Sequence, residues 1–394
     1  MTLPQSVRDR LTPAQLTAWD AVEEHGGNIS RAAKSLERNE RTFRRCYQRA
    51  IKAAARAGWS PDHDMVKAAA PGYNVKGTST LYTVGKDGQE RISAQWVKTN
   101  QSHDELGDAL REAVEAWCEE AKGAIKPTKP PKHCHEDLMS VYPMGDPHIG
   151  MYSWAAETGA DFDLHIAEKD LCAAVDYLVA ASPPSKRAIL INLGDFFHCD
   201  NMDGITSRSG HPLDTDGRLY KMIYVGVRAL RRCLQRMLEK HEQVEIINAP
   251  GNHDHVLALA LSVLFRNVYE NEPRVTVHDS PTMRHYIQHG KCLIGTVHGH
   301  QTKDSDLPGI MATEKPKEWG QTKHRYFFRG HHHHDNRKEY NGCIVEQFRT
   351  LAAGDAYAVG GGYLSGRDMK CIVMHKEFGE QSRFTCGIDV LRAA

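Results

Sequence analysis

The chain has 394 residues, 40% of them hydrophobic and 25% charged, and its 50 basic residues are matched by 50 acidic ones. That length exceeds what one core normally supports, so two or more domains are expected, while the zero net charge excludes a global attraction for nucleic acid and leaves only local ones. The longest apolar run, Val256 to Phe265, falls far short of the roughly 20 residues a bilayer crossing needs, and Met1 to Asp20 carries no secretory apolar stretch, so no membrane role is expected. Ten scattered cysteines without a C-x-x-C pair point to a reduced cytoplasm.

From Thr12 to Trp59 the pattern predicts three helices. Thr12-Pro13 opens the first, Asn28 or Ser30 caps the second, which runs through Glu37, and Arg41 to Ala57 forms the third. The tight polar turn Arg38-Asn39-Glu40, with the small residues Ala32 and Ala33 at the packing positions, matches a helix-turn-helix. Nine basic residues lie between Arg31 and Arg56 against only Glu37 and Glu40, and Arg38, Arg41, Arg44, Arg45 and Arg49 are the candidate contacts to DNA phosphates. A solvated basic helix in a small bundle has the same composition, so charge alone does not license base recognition.

Further along, Gly77 to Lys98 alternates like a β-hairpin, with Lys86-Asp87-Gly88 as its turn, and His103 to Lys122 has the pattern of an acidic amphipathic helix. Lys126-Pro127-Thr128-Lys129-Pro130-Pro131-Lys132 has the composition of a stiff extended linker. Three regions are therefore expected: a helical domain over 1–60, a connecting region over 61–135, and a larger domain over 136–394.

In the larger region short apolar runs (Leu138 to Met144, Arg187 to Leu193, Gln243 to Ala249, Cys292 to Val297, Arg325 to Arg329) alternate with helical stretches at Phe162 to Ala181, Asp216 to His241 and His255 to Tyr269. This is the signature of a layered α/β domain, and Gly342 to Leu351 and Met369 to His375 are expected to complete a second sheet. A polar cluster follows each early run: Asp146-Pro147-His148, Gly194-Asp195, Gly251-Asn252-His253-Asp254, His298, and Gly330-His331-His332-His333. Such a mixture of imidazole, carboxylate and amide oxygen, without a cysteine among the donors, suits divalent metals of intermediate hardness. Two donors at i and i+2 on an extended segment share one side, which pairs Asp146 with His148 and His331 with His333. The glycines at 194, 251 and 330 fit sharp turns beside bound ions.

The ordered blocks D-x-H, G-D, G-N-H-D, H-G-H and G-H-x-H resemble the calcineurin-like metallophosphoesterase superfamily over about 260 residues, from about 136 to the end. Gly194-Asp195-Phe196-Phe197-His198, Trp319-Gly320 and the fused helix-turn-helix make the context similar to phage-encoded members and, more distantly, to DNA-repair exonucleases. The resemblance implies a four-layer sandwich of two β-sheets flanked by helices, after a small all-α domain. It also implies that one ion is held by Asp146, His148 and His333, a second by Asn252, His298 and His331, and that Asp195 bridges the two. The ions are expected to be Mn2+, with Mg2+, Fe2+ or Zn2+ as alternatives, and water held between two such ions becomes a hydroxide nucleophile near neutral pH. By the same resemblance His253 faces the substrate, Asp254 is the partner that orients it, and His198 lies beside the site. The alternative for Asp254 is a turn or capping residue.

The block after Asp195, His198-Cys199-Asp200, together with Asp254 after Asn252-His253, departs from the protein-phosphatase branch. A DNA nuclease in the cytoplasm, of the host if the chain is phage-encoded, is the favoured expectation, because tethering a basic module to a hydrolytic site concentrates the substrate. A small-molecule or cyclic-nucleotide phosphodiesterase and a catalytically silent DNA-binding or virion-associated protein are the alternatives. Arg208, Lys221, Lys303 and Lys323 are candidate backbone-phosphate contacts, and a homodimer is in keeping with the repair nucleases.

Overall fold

A computed structural model describes residues 3–61, 65–66, 73–84, 90–101, 125–206, 210 and 212–393. The chain forms two compact units, Met1–Ala113 and Val114–Ala394.

In the first unit the helix Pro13–Glu24 starts where Thr12 and Gln15 form a reciprocal capping box. Asn28, and not Ser30, caps the helix Ile29–Ser35 by accepting the Arg31 N–H, and Asn39 caps Glu40–Arg56 through the Thr42 N–H. A first short helix, Gln5–Arg8, was not expected from the sequence. Ala32 and Ala33 pack with Ala18, Ala21, Val22 and Phe43, so the small side chains let the helices approach closely. Arg38, Arg41, Arg44, Arg45 and Arg49 are all exposed, and Arg44 is engaged with Glu40 at 2.8 Å. The predicted hairpin is present as the antiparallel pair Tyr73–Val84 and Glu90–Gln101. Its Lys86-Asp87-Gly88 turn and the helix expected over His103 to Lys122 lie outside the described residues.

The second unit is a four-layer α/β/β/α sandwich. Its six-stranded sheet runs Gly379–Gly387, Asp368–His375, His135–Met144, Ser185–Asn192, Gln243–Asn248, Val275–His278, and the last four of these strands are parallel. The five-stranded sheet runs Asn336–Tyr340, Cys343–Gln347, His324–Arg329, Cys292–Val297, His285–His289. The two final strand segments therefore divide between the sheets: Cys343–Gln347 joins the five-stranded one, whereas Asp368–His375 pairs with His135–Met144. Periodicity identifies a strand but not its neighbour, and pairing across such a sequence distance is decided by packing.

Met139, Val141, Ile189, Ile191, Ile247, Ile372 and Met374 face Ile287, Ile294, Tyr326 and Phe328 to form the core between the sheets. Buried side chains of this kind each contribute about 1.5–3 kcal/mol. The helices Leu164–Ala181, Leu219–Leu238 and His255–Val268 cover the outer face of the larger sheet, while Leu307–Glu314 and Pro316–Gln321 cover the smaller one. Trp319 stacks under Arg325 at 4.2 Å within that outer layer, which makes it a packing residue. The Lys126 to Lys132 segment is tied to this unit, because Glu272 accepts from the N–H and hydroxyl of Thr128 at 2.6 and 2.8 Å and Arg274 donates to the same hydroxyl at 2.7 Å. None of the helices among the described residues is long and apolar enough to cross a membrane.

Candidate metal centre

Five parallel strands, three from one sheet and two from the other, end at one place, and each releases a short polar loop there. Asp146 and His148 follow His135–Met144, Asp195 follows Ser185–Asn192, and Asn252 follows Gln243–Asn248. His298 follows Cys292–Val297, and His331 and His333 follow His324–Arg329. The site thus lies at the carboxyl ends of strands from both sheets, where open α/β sheets gather ligands.

The reason the donors converge also differs from the expectation of extended segments. Among the described residues six non-glycines have positive φ, and five of them are donors: Asp146 (42°), His148 (46°), Asp195 (50°), His331 (77°) and His333 (57°). Left-handed backbone costs about 1–3 kcal/mol at each non-glycine position and persists only where the surroundings impose it. Here it swings successive side chains inward. The glycines matter chiefly through close approach: a Cβ at Gly251 would stand 2.0 Å from Asp195 Oδ1, and one at Gly330 would stand 2.3 Å from Asp146 Oδ2.

Among the described residues three sets of donor atoms each lie within 4.8 Å: Asp146 with His148 and His333, Asp195 with His298 and His331, and His148 with His198 and His253. His298 Nδ1 donates to the Leu193 carbonyl at 2.9 Å, which fixes the tautomer and leaves Nε2 facing Asp195 Oδ2 at 3.0 Å and Asn252 Oδ1 at 2.9 Å. His148 Nε2 meets His333 Nε2 at 3.2 Å, and His333 Nε2 lies 3.6 Å from Asp146 Oδ1. The seven expected ligands are therefore together, and the alternate histidines His331 and His333 are the ones that turn inward. His332 and His334 are exposed and stack on each other at 5.9 Å. His300 sits beside the site, its ring 5.2 Å from that of His298.

Electrostatics fit cation binding. Burial drives His198 and His331 down to about 3, so both are neutral lone-pair donors at physiological pH. Burial opposes the charged form of His298 as well, but the Asp195 and Asp146 carboxylates outweigh it and raise this imidazole to about 9. Imidazole nitrogens 3.2 Å apart beside carboxylates that are themselves buried make a compact N/O donor set, which suits divalent ions.

Three neighbours have roles that the sequence assigned differently or missed. Asp254 does not touch the His253 ring: its carboxylate accepts the N–H groups of Asp195, Gly251 and Phe197, each at 3.1 Å, so it clamps the loop carrying Asp195. Burial, reinforced by Asp195, pushes Asp254 up to about 7, against the pull of those N–H donors. His253 is oriented instead by the His198 backbone, its Nδ1 donating to that carbonyl at 2.8 Å, which leaves Nε2 as its second nitrogen. The His198 ring itself faces His148 Nδ1 at 3.1 Å, so it positions a metal donor. Thr350 was not singled out by any sequence signal. Its hydroxyl donates to the Asp146 carbonyl at 2.6 Å and pins the first donor loop.

A cleft of about 1060 Å³ opens over the donors, lined by His148, Asp195, His198, Asn252, His253 and His331–His333 together with residues of 350–367. Arg367 is the cleft's basic residue among those described, and Nε and Nη2 of its guanidinium are spent on the Leu351 carbonyl. Lys221, Lys303 and Lys323 do not line it, and Lys323 lies just before the strand His324–Arg329, at the end opposite the donors. Arg208 lies outside the described residues.

No family profile and no curated protein matches the chain. Among solved structures it is similar to a conserved uncharacterized protein of Streptococcus pneumoniae named as a predicted phosphoesterase, at 9% identity and a TM-score of 0.27, covering 64% of this chain and 99% of that one. It is also similar to Vps29 of Entamoeba histolytica, solved with Zn2+ (11% identity, TM-score 0.26, 63% and 99% covered), and to vacuolar protein sorting 29 of Cryptosporidium parvum (10%, 0.30, 64% and 97%). Likeness at this level assigns no activity.

Proposed function

We propose that this chain is a two-metal phosphodiesterase that acts on nucleic acid, with DNA as its substrate and partner. The observation that carries the proposal is the shared position of Asp195, whose carboxylate sits within one donor set while its backbone carbonyl accepts the N–H of His148, a donor of the other, at 3.0 Å. Asp146, His148 and His333 would hold one divalent cation and Asn252, His298 and His331 the other, with Asp195 between them; Mn2+ suits this N/O mixture, as do Mg2+, Fe2+ and Zn2+. When bound, such a pair supplies Lewis-acid stabilisation of phosphoryl charge and an activated water.

The protein's own groups do the rest. His253, held at Nδ1 by the His198 carbonyl, offers Nε2 to the cleft, where it can donate a proton to the departing oxygen or stabilise developing charge. Asp254 keeps the Asp195 loop in its strained shape, and His198 holds His148 in its rotamer. The N-terminal helices support the choice of DNA. The pair Ile29–Ser35 and Glu40–Arg56, joined by a four-residue polar turn, reads as a helix-turn-helix whose Arg41, Arg45 and Arg49 form an exposed stripe at helical spacing, with Arg38 in the turn. These arginines are the proposed phosphate contacts, in a chain of phage-type, repair-exonuclease-like character.

A small-diester or cyclic-nucleotide hydrolase is the second reading, favoured by a cleft in which Arg367 is the one basic residue among those described. The test is hydrolysis of bis-p-nitrophenyl phosphate and of DNA by the purified chain with Mn2+. The proposal expects both to be cut, with a far higher kcat/KM on DNA. An intact bis-p-nitrophenyl phosphate in the presence of bound Mn2+ would overturn the enzymatic reading, and a preference for cyclic nucleotides would overturn the choice of nucleic acid.

A further inference from the structure

We propose that the part of the cleft lining formed by residues 354–364 is a nucleobase platform, in which Tyr357 and Tyr363 take the base flanking the scissile phosphate; this rests on the phosphodiesterase reading above. Both rings line the same cleft as the donor set. They remain 64% and 67% exposed. Their centroids are 6.4 Å apart and their planes 32° from parallel, a tilted pair that a flat ring can join.

The platform is built. Asp355 caps the short helix Ala356–Gly360 by accepting the Ala358 N–H at 2.8 Å, and the Tyr363 ring lies so close over Gly361 that a Cβ there would stand 2.6 Å from Tyr363 Cε2. The segment is tied to the first donor loop at its start and closed on itself at its end. At its start Thr350 bonds the Asp146 carbonyl and Ser153 donates to the Gly354 carbonyl at 2.8 Å; at its end Arg367 donates to the Leu351 carbonyl at 2.6 Å.

The rest of the lining narrows the ligand. Among the described residues the cleft offers Arg367 as its one basic side chain, already engaged, so a polyanion is not gripped there by charge. What the wall does offer is aromatic and aliphatic surface, Tyr357, Tyr363 and Leu364, which suits a flat heterocycle carried on a sugar phosphate. Because every base has a π-face, the platform predicts tolerance of sequence.

The test uses the full chain with Mn2+ and a DNA trinucleotide, either intact or abasic beside the scissile bond. Replacing both residues, Tyr357→Leu with Tyr363→Leu, should lower kcat/KM on the intact trinucleotide by roughly 10- to 100-fold, and removing the base should cost the unaltered protein a similar factor. The two losses should not multiply when combined, and Tyr357→Phe with Tyr363→Phe should restore most of the rate. Fully multiplicative losses, or no loss in the leucine variant, would overturn the platform. The same pair of variants assayed on a 3′,5′-cyclic nucleotide distinguishes the source of the base, since a loss confined to that substrate assigns the platform to a small nucleotide. If no diester is cut at all, the phosphodiesterase reading falls, and calorimetry of intact against abasic trinucleotide with Mn2+ judges the platform alone. Tighter binding of the intact form that vanishes in the leucine variant supports it, and equal affinities refute it.

Discussion

The donor cluster of the second unit and the basic helix of the first are both rich in ionisable side chains, yet they are built in opposite ways. Asp146, Asp195 and His298 are buried, His298 lies within 3.5 Å of both carboxylates, and the two aspartates hang on left-handed backbone. Arg41, Arg45 and Arg49 are exposed on regular helix, and the structure gives them no shape beyond a stripe. Burial in low dielectric makes each donor costly without its cation, so the first arrangement is specific for a ligand. Solvated charges are screened within about a Debye length, so the second favours any polyanion.

Four perturbations sharpen or break that contrast. The largest effect is expected from Asp195→Ala, which should remove at least one bound Mn2+ and lower bis-p-nitrophenyl phosphate turnover by about a thousandfold or more, as measured by metal content and steady-state rates. His253→Ala should keep both ions and lose about 10²–10⁴ in kcat, because its ring lines the cleft with Nδ1 already donated to the His198 carbonyl, although it also stands within donor reach of His148 and His198. A variant that loses its metal would place His253 among the ligands. On the exposed side, Arg41→Ala, Arg45→Ala and Arg49→Ala combined should weaken DNA cleavage and reduce the slope of log affinity against log salt by about 2–3, read from cleavage rates across a salt series. Equal losses on bis-p-nitrophenyl phosphate and DNA would break the assignment of binding to this stripe.

The smallest effect concerns pH. His298 is raised to about 9 without metal, above the 6.5 of an unfolded histidine, so its protonated pairing with Asp195 and Asp146 stabilises the metal-free protein fully below pH 6.5 and is lost as pH rises through 9. A proton on this ring excludes a cation, so Mn2+ affinity should climb by up to about tenfold per unit across that window. Calorimetric titrations showing affinity flat from pH 6.5 to 9 would contradict this. His198 and His331, at about 3, add nothing to the slope there.

The same contrast explains what could be read from the sequence. Strand and helix patterns and the donor blocks were legible because apolar runs and histidine-glycine clusters are local signals. The capping of Pro13–Glu24 by Thr12 followed from residue type and spacing, whereas His331 and His333 were paired on an extended backbone that the structure replaces with a left-handed one. What was not legible depends on contacts made at long range. The allotment of Cys343–Gln347 and Asp368–His375 to different sheets, the grip of Asp254 on the N–H groups of residues 195 and 197, and the tie from Thr350 to Asp146 each join residues whose spacing carries no periodic trace. The left-handed backbone at five donors is likewise imposed by tertiary packing, since aspartate and histidine adopt it without declaring it.

The central claim is tested most directly by anomalous diffraction at the manganese edge from crystals grown with Mn2+. Two peaks about 3.5–4 Å apart, each touching a carboxylate oxygen of Asp195, are predicted. A single peak, or two that share no ligand, would contradict the account.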